Sequence, residues 1–202
     1  MATIIDVAKD CGVAISTVSN VLSRKNKKYV SEEIRNKVLK SIEKLNYKTN
    51  AMASSLVTKR TNLIGLFLTT EKDKFDSFYM PLIAGVGITA SSYGISPILY
   101  FNILGESDIQ KALASGGSLM DGAIVLSPMQ NDFRVKELER DNVSYVIIGK
   151  PNFSLNGVPF VDVENEKNTY EITKHLIANG HKKILFLNGL PEYTISGDRL
   201  AG

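Results

Sequence analysis

The chain has 202 residues, 44% hydrophobic and 22% charged, a composition typical of folded globular proteins and not of disordered ones. One cysteine and two histidines are too few for a disulfide framework or a cysteine-based zinc site and leave little for any metal. No apolar run reaches the roughly 18 residues a membrane span needs, and the first residues lack the basic start and apolar stretch of a secretory signal, so the expected location is the cytoplasm.

The net charge of +3 conceals a division. Residues 1–60 carry twelve Lys and Arg against five acids, while residues 61–202 carry twelve against sixteen. A basic head on a mildly acidic body suits a polyanion-binding module joined to a second module. A solvated basic surface is the alternative, and charge alone does not separate the two.

In chain order, Thr3 to Cys11 reads as a short helix, with Thr3 as its cap and Asp6 placed for a capping box. Gly12 breaks it, and Ile15 to Leu22 reads as a second helix with Val18, Val21 and Leu22 inward. Ser23 to Tyr29 is polar and basic, hence a loop. Ser31 opens a third helix with Glu32 and Glu33 in its first turn, and Ile34, Val38, Ile42 and Leu45 recur at helical spacing. After Asn50 comes a stretch too short and polar to bury a face alone: a linker that is helical only when something stabilises it, or simply a flexible one.

From Thr61 onward strand and helix patterns alternate. NLIGLFLT reads as a buried parallel strand. Phe75, Tyr79, Leu82, Ile83, Val86 and Ala90 mark a helix ended by Gly94, and ISPILYF the next strand. Ile109, Ala112 and Leu113 mark another helix, DGAIVLS a third strand, Val135 and Leu138 a helix, and VSYVIIG a fourth strand. VPFVDV reads as a short edge strand, Ile172, His175, Leu176 and Ile177 lie on a further helix, and KKILFLNG reads as a sixth strand. This order predicts a doubly wound parallel α/β sheet behind the small all-α head. The expected domains are 1–49, a linker over 50–60, and 61–202.

Within the head, Ala8, Gly12, Val18 and Val21 have the spacing of two helices crossing steeply through a tight turn. A small residue admits the close contact, glycine takes the left-handed turn, and branched residues fill the crossing. That is a helix-turn-helix unit, whose second helix enters the major groove. A generic helical hairpin would share much of this spacing.

The wider stretch TIIDVAKDCGVAISTVSNVLS, then VSEEIRNKVLKSIEKLNYKTNAMASSL, resembles the N-terminus of LacI/GalR-family transcription regulators. DGAIVLSP, VDVEN, HLIANGHKKILFLNG and GDRLAG extend the resemblance through the body. It implies a dimeric repressor of a palindromic operator in double-stranded DNA, tuned by a small-molecule effector such as a sugar or a purine. It also implies no enzyme activity, no cofactor and no membrane. The implied body is periplasmic-binding-protein-like, with two α/β subdomains, of which the sequence is expected to hold only the first before stopping at Gly202.

By the same resemblance, Ile15, Ser16 and Asn20 sit where a recognition helix meets base edges, with helix surface as the bland alternative. Thr17, Ser19 and the loop from Arg24 through Lys27 to Lys28 read as phosphate contacts. Ala14 stands where the family often has a capping serine, and Asn20 where many members have arginine. In the linker, Asn50 would cap a hinge helix, Ala53 would admit a partner helix, and Leu56 would wedge into the minor groove; the alternative is a leucine packed on the body. For the effector, Phe75, Phe78 and Tyr79 follow the first strand and Ser127-Pro128 the third, both at carboxyl ends of parallel strands. Helix core is the alternative for Phe75 and Tyr79. Arg199, in GDRLAG, matches an arginine that holds a polar group of the effector. Cys11 reads as a buried turn residue, and His175 and His181 as surface or capping groups. The rival classes are a solute-binding protein with a helical head, and a fragment that is non-functional or binds DNA only.

Overall fold

Helix α1 (Ile4–Cys11) begins at a capping box. The Thr3 side chain accepts from the Asp6 N–H, and the Asp6 carboxylate accepts the Thr3 N–H in return, at 2.8 Å. It ends at Gly12, whose φ of +65° is the left-handed turn that a side chain would resist. Helix α2 (Ile15–Leu22) follows at once, and α3 (Glu32–Lys44) starts at the Ser31 cap. Val7, Ala8 and Cys11 of α1, Val18 and Val21 of α2 and Val38 of α3 close a small core. Ile34, Ile42 and Leu45 pack around it.

The computed structural model describes residues 2–22, 30–49, 55, 58–70, 78–103, 120–151 and 157–202. The chain divides into two compact units, Met1–Lys59 and Arg60–Gly202. In the second, β1 (Leu63–Thr70), β2 (Ser96–Ile103), β3 (Gly122–Leu126), β4 (Tyr145–Ile148) and β5 (Phe160–Val161) form one parallel sheet in the order β2-β1-β3-β4-β5. The order runs outward in both directions from β1 and β3, which makes the sheet doubly wound.

Alternation along β1 shows both faces being buried. Leu66 and Leu68 point to α4 (Tyr79–Ser92) with Leu126, against Tyr79, Leu82, Ile83 and Val86. Phe67 points the other way with Ala123, Val125 and Ile147, against Val135 and Leu138 of α5 (Phe133–Arg140). The apolar run of β1 is continuous for this reason. The charged entry to the sheet is fixed separately. Asp121 accepts the Thr61 N–H and hydroxyl at 2.7 and 2.9 Å and the Asn62 N–H at 2.9 Å.

One expected element does not form. Residues 182–189, read as a sixth strand, are irregular and exposed, with Leu185 and Leu187 more than four-fifths in solvent. A strand exists only where a neighbour supplies the other half of its hydrogen bonds, and no described strand pairs with this one. The helix before it, α6 (Asn165–Ala178), packs instead on α7 (Thr194–Ala201), and the Ile172 and Ile177 side chains of α6 remain exposed. The helix expected around Ile109, Ala112 and Leu113 lies outside the described residues, as does the loop 23–29.

Candidate nucleic-acid interface and effector site

Helix α2 presents two faces. Val18 and Val21 are buried against α1 and α3, while Ile15, Ser16 and Ser19 are exposed and Thr17 and Asn20 half-buried. Of the three candidate base readers, Ile15 and Ser16 therefore lie fully on the outer face and Asn20 at its margin; of the two candidate phosphate contacts on this helix, Ser19 is on the face and Thr17 at the margin. The start of α2 draws on a main-chain acceptor. The N–H groups of Thr17 and Val18 share the Ala14 carbonyl, and an alanine side chain offers no acceptor for the remaining ones. Its other end is better held, because Arg35 of α3 donates to the Val21 carbonyl at 3.4 Å, placing a cation at a helix C-terminus. Lys44 pairs with Asp10 at 2.6 Å across α3 and α1, and its side chain holds the Asp10 carboxyl below the usual carboxylate range.

Cys11 is buried with its thiol against the Lys37 carbonyl, as expected of a turn residue. Arg24, Lys27, Asn50, Ala53, Leu56 and Phe75 lie outside the described residues.

At the carboxyl end of the sheet, two of the effector candidates meet. The Tyr79 hydroxyl at the start of α4 lies 3.1 Å from Ser127 Oγ, just past β3. The Tyr79 ring packs on Leu66, Leu68 and Leu126, as the helix-core alternative has it, while its hydroxyl points to Ser127. Phe78 is exposed, its ring edge-on to Tyr79 at 5.6 Å. Pro128 is buried, and its carbonyl accepts from the Thr194 N–H and hydroxyl at the start of α7. Gly149, at a φ of +114°, lies under that proline so closely that a Cβ would come within 2.6 Å of its ring. Arg199 is apart from these: it is exposed on α7, and its Nε donates to Asn165 Oδ1 at 3.1 Å. An open groove of about 680 Å³ near β5, α6 and α7 is lined by Lys150, Asp162, Asn165, Tyr170 and Asp198 among others, and by none of the described effector candidates. His175 and His181 are both exposed, and among the described residues no cluster has the makings of a metal site.

The sequence reading passed over Arg134. It is fully buried, and all of its donors are engaged. Nε and Nη2 hold the two oxygens of Asp132 at 2.9 and 2.6 Å, Nη1 holds the carbonyls of Phe67 and Leu126, and Nη2 that of Ser127. Asp132 in turn caps α5 through the Arg134 N–H and accepts the Met129 N–H. The sequence signal available was an aspartate ahead of a helix. Nothing in the pattern distinguishes an arginine in the first turn that folds inward from one that faces solvent.

Residues 3–50 match the family described as "Bacterial regulatory proteins, lacI family", and residues 61–201 match "Periplasmic binding proteins and sugar binding domain of LacI family". The chain is 33% identical to the HTH-type transcriptional regulator MalR of Streptococcus pneumoniae, over 99% of this chain and 61% of that protein. It is 32% identical to catabolite control protein A of Priestia megaterium, over 96% of this chain and 57% of that protein. The chain therefore spans about three-fifths of the length of these relatives. Among solved structures, the Lac repressor dimer bound to operator and the anti-inducer ONPF superposes with a TM-score of 0.77 at 25% identity, over all of this chain and 60% of that one. A complex of the transcriptional regulator CelR with cellobiose gives 0.61 at 27%, over all of this chain and 59% of that one.

Proposed function

The chain belongs to the LacI family of bacterial regulatory proteins, and from that premise we propose that it is a sequence-specific DNA-binding regulator, a repressor whose grip on a palindromic operator is altered by a small polyhydroxylated ligand. The observation that carries the reading is the outer face of α2. A helix held from behind by Val18 and Val21 leaves Ile15 and Ser16 outward and Asn20 at the margin, where base edges would lie. Ser16 can donate or accept, and Asn20 can pair bidentately with adenine. Thr17, Ser19, Arg24 and Lys27 supply phosphate contacts, which set register without reading sequence.

Two heads on one palindrome require a dimer, and Leu56 of each copy enters the minor groove, where an apolar wedge kinks the duplex, with Asn50 and Ala53 shaping the helix that carries it. On the body, Phe75, Phe78, Tyr79, Ser127, Pro128 and Arg199 form the ligand side, at the sheet end where ligands bind in such folds. The hydroxyl pair of Tyr79 and Ser127 suits a sugar, and the relative solved with cellobiose supports that class. Ligand binding acts by favouring one of two body states that differ in how they present the linker. No step of this requires catalysis.

Gel shifts with a palindromic probe across a salt series test the reading. Affinity is expected to fall steeply with salt as Lys and Arg release phosphate counterions. Asn20→Ala and Ser16→Ala are expected to relax preference at one defined operator position, at about 1–3 kcal/mol per contact, whereas Lys27→Ala weakens all sequences alike. Equal weakening of every probe by all three substitutions refutes the division into readers and positioners.

A further inference from the structure

Ser127 has a backbone conformation that serine seldom adopts, with φ of +49°. Residues in that region persist when their surroundings hold them, and here every polar group of the residue is held. Its N–H donates to the Ile148 carbonyl at 3.0 Å, its hydroxyl meets Tyr79, and its carbonyl accepts from Arg134 at 3.1 Å. The same guanidinium holds the carbonyl of Leu126, one residue earlier, and that of Phe67 on the neighbouring strand.

We propose that Arg134, oriented by Asp132, is the positioning residue for the effector side of the body: by fixing the carbonyls on both sides of the Leu126–Ser127 step it keeps Ser127 left-handed, and so keeps its hydroxyl against Tyr79. The inference rests on the functional reading above, in which that hydroxyl pair faces the ligand.

The chemistry favours arginine specifically. Five donors in a rigid planar fork are matched by five bonds, two to a carboxylate and three to carbonyls of two adjacent strands and the turn after the second. A lysine has three donors at one point and cannot span them. Asp132 neutralises the charge where no water reaches, and through the Met129 N–H it also fixes the far side of the turn. From the other direction the Gln130 N–H donates to the Glu192 carbonyl, and Met129 bridges Tyr193. The turn from Ser127 to Gln130 is thus gripped by α5 on one side and by the approach to α7 on the other. Arg134 is the group that connects it to the centre of the sheet. The paired hydroxyls then present a donor and acceptors together, the pattern that a polyhydroxylated ligand meets.

Nuclear magnetic resonance on the labelled 202-residue chain tests this without a ligand. Scalar couplings and carbon shifts report the Ser127 φ, and a nuclear Overhauser contact reports Ser127 against the Tyr79 ring. Arg134→Lys is expected to lose both signatures while the amides of β1 and β4 stay native. Val135→Ala, a core truncation one residue along the same helix, is expected to lower the melting temperature yet keep both. Should Arg134→Lys fail to fold, Asp132→Asn, which keeps an acceptor at the α5 cap but removes the charge that orients the guanidinium, is expected to weaken both signatures. The proposal is overturned if the folded Arg134 or Asp132 variant keeps a left-handed Ser127, or if Val135→Ala loses it equally. Calorimetry with maltose and with cellobiose separates the two levels. If the parent chain binds either sugar, Arg134→Lys is expected to lose at least tenfold in affinity, and unchanged affinity overturns the positioning role. If the parent binds neither, a sugar site complete within these 202 residues fails, and the Ser127 signatures alone decide the role of Arg134.

Discussion

The head and the body pin the chain with the same chemical device, a carboxylate that takes both the N–H and the hydroxyl of a threonine. In the head Asp6 does this for Thr3, at 2.8 and 2.7 Å, across three residues. In the body Asp121 does it for Thr61, at 2.7 and 2.9 Å, across sixty. The first closes one helical turn and forms with it. The second forms only once β3 lies beside β1, so it reports that the sheet is assembled. The two units differ in the same way throughout. The head core is small, apolar apart from the buried Ser41, and built from three consecutive helices, whereas the body carries at its carboxyl edge a buried ion pair joined to two strands and a turn.

The sharpest way to separate the units is Arg134→Met. Removing one partner of a buried pair leaves the other charged and unsolvated, at a cost of about 3–5 kcal/mol. Hydrogen exchange is expected to show β1 and β3 amides opening more readily while α1 to α3 are unaffected. Equal loss in both units breaks the comparison, because it means they unfold as one. Val38→Ala probes the converse. It removes a fully buried side chain from the head and is expected to cost about 2 kcal/mol, with the exchange signature confined to the helices.

The smallest effect is the titration of the two threonine clamps. Burial pushes the Asp121 carboxyl up, but the hydrogen bonds from Thr61 and Asn62, with Arg60 nearby, outweigh it and hold the group below its ordinary value of 3.8. The bonds from Thr3 do the same for Asp6. A depressed carboxylate stabilises the fold fully above the unfolded pKa, and that contribution is lost as pH falls through the lower folded value. Protection of the Thr61 and Asn62 amides is therefore expected to weaken only as the pH falls below the usual carboxylate range. Loss between pH 5 and 7 would assign the joint to some other group.

The head was legible residue by residue. Thr3, Asp6, Gly12 and Ser31 act within a turn of where they stand, and their capping chemistry needs no partner from elsewhere. In the body the strands β1 to β5 were legible as apolar runs; for the central β1 and β3, burial on both faces leaves little room for polar residues. KKILFLNG had the same composition and made no strand. Composition measures the tendency to be buried, and a partner decides whether the ladder forms. Tyr79 was left between core and site; the structure puts its ring in the core and its hydroxyl on Ser127.

The sequence by itself determined the division into a basic helical head and an alternating α/β body, the caps and the turn glycine of the head, and the face of α2 left outward. All of these follow from periodicity, local hydrogen bonding or charge, which are properties of neighbouring residues. Only the tertiary structure decided that Arg134 folds inward, that it donates to the carbonyl of a left-handed Ser127, and that Asp121 anchors Thr61. Each of these depends on groups distant in the chain being brought within hydrogen-bond reach, and the cost of a buried charge depends on whether those groups are there.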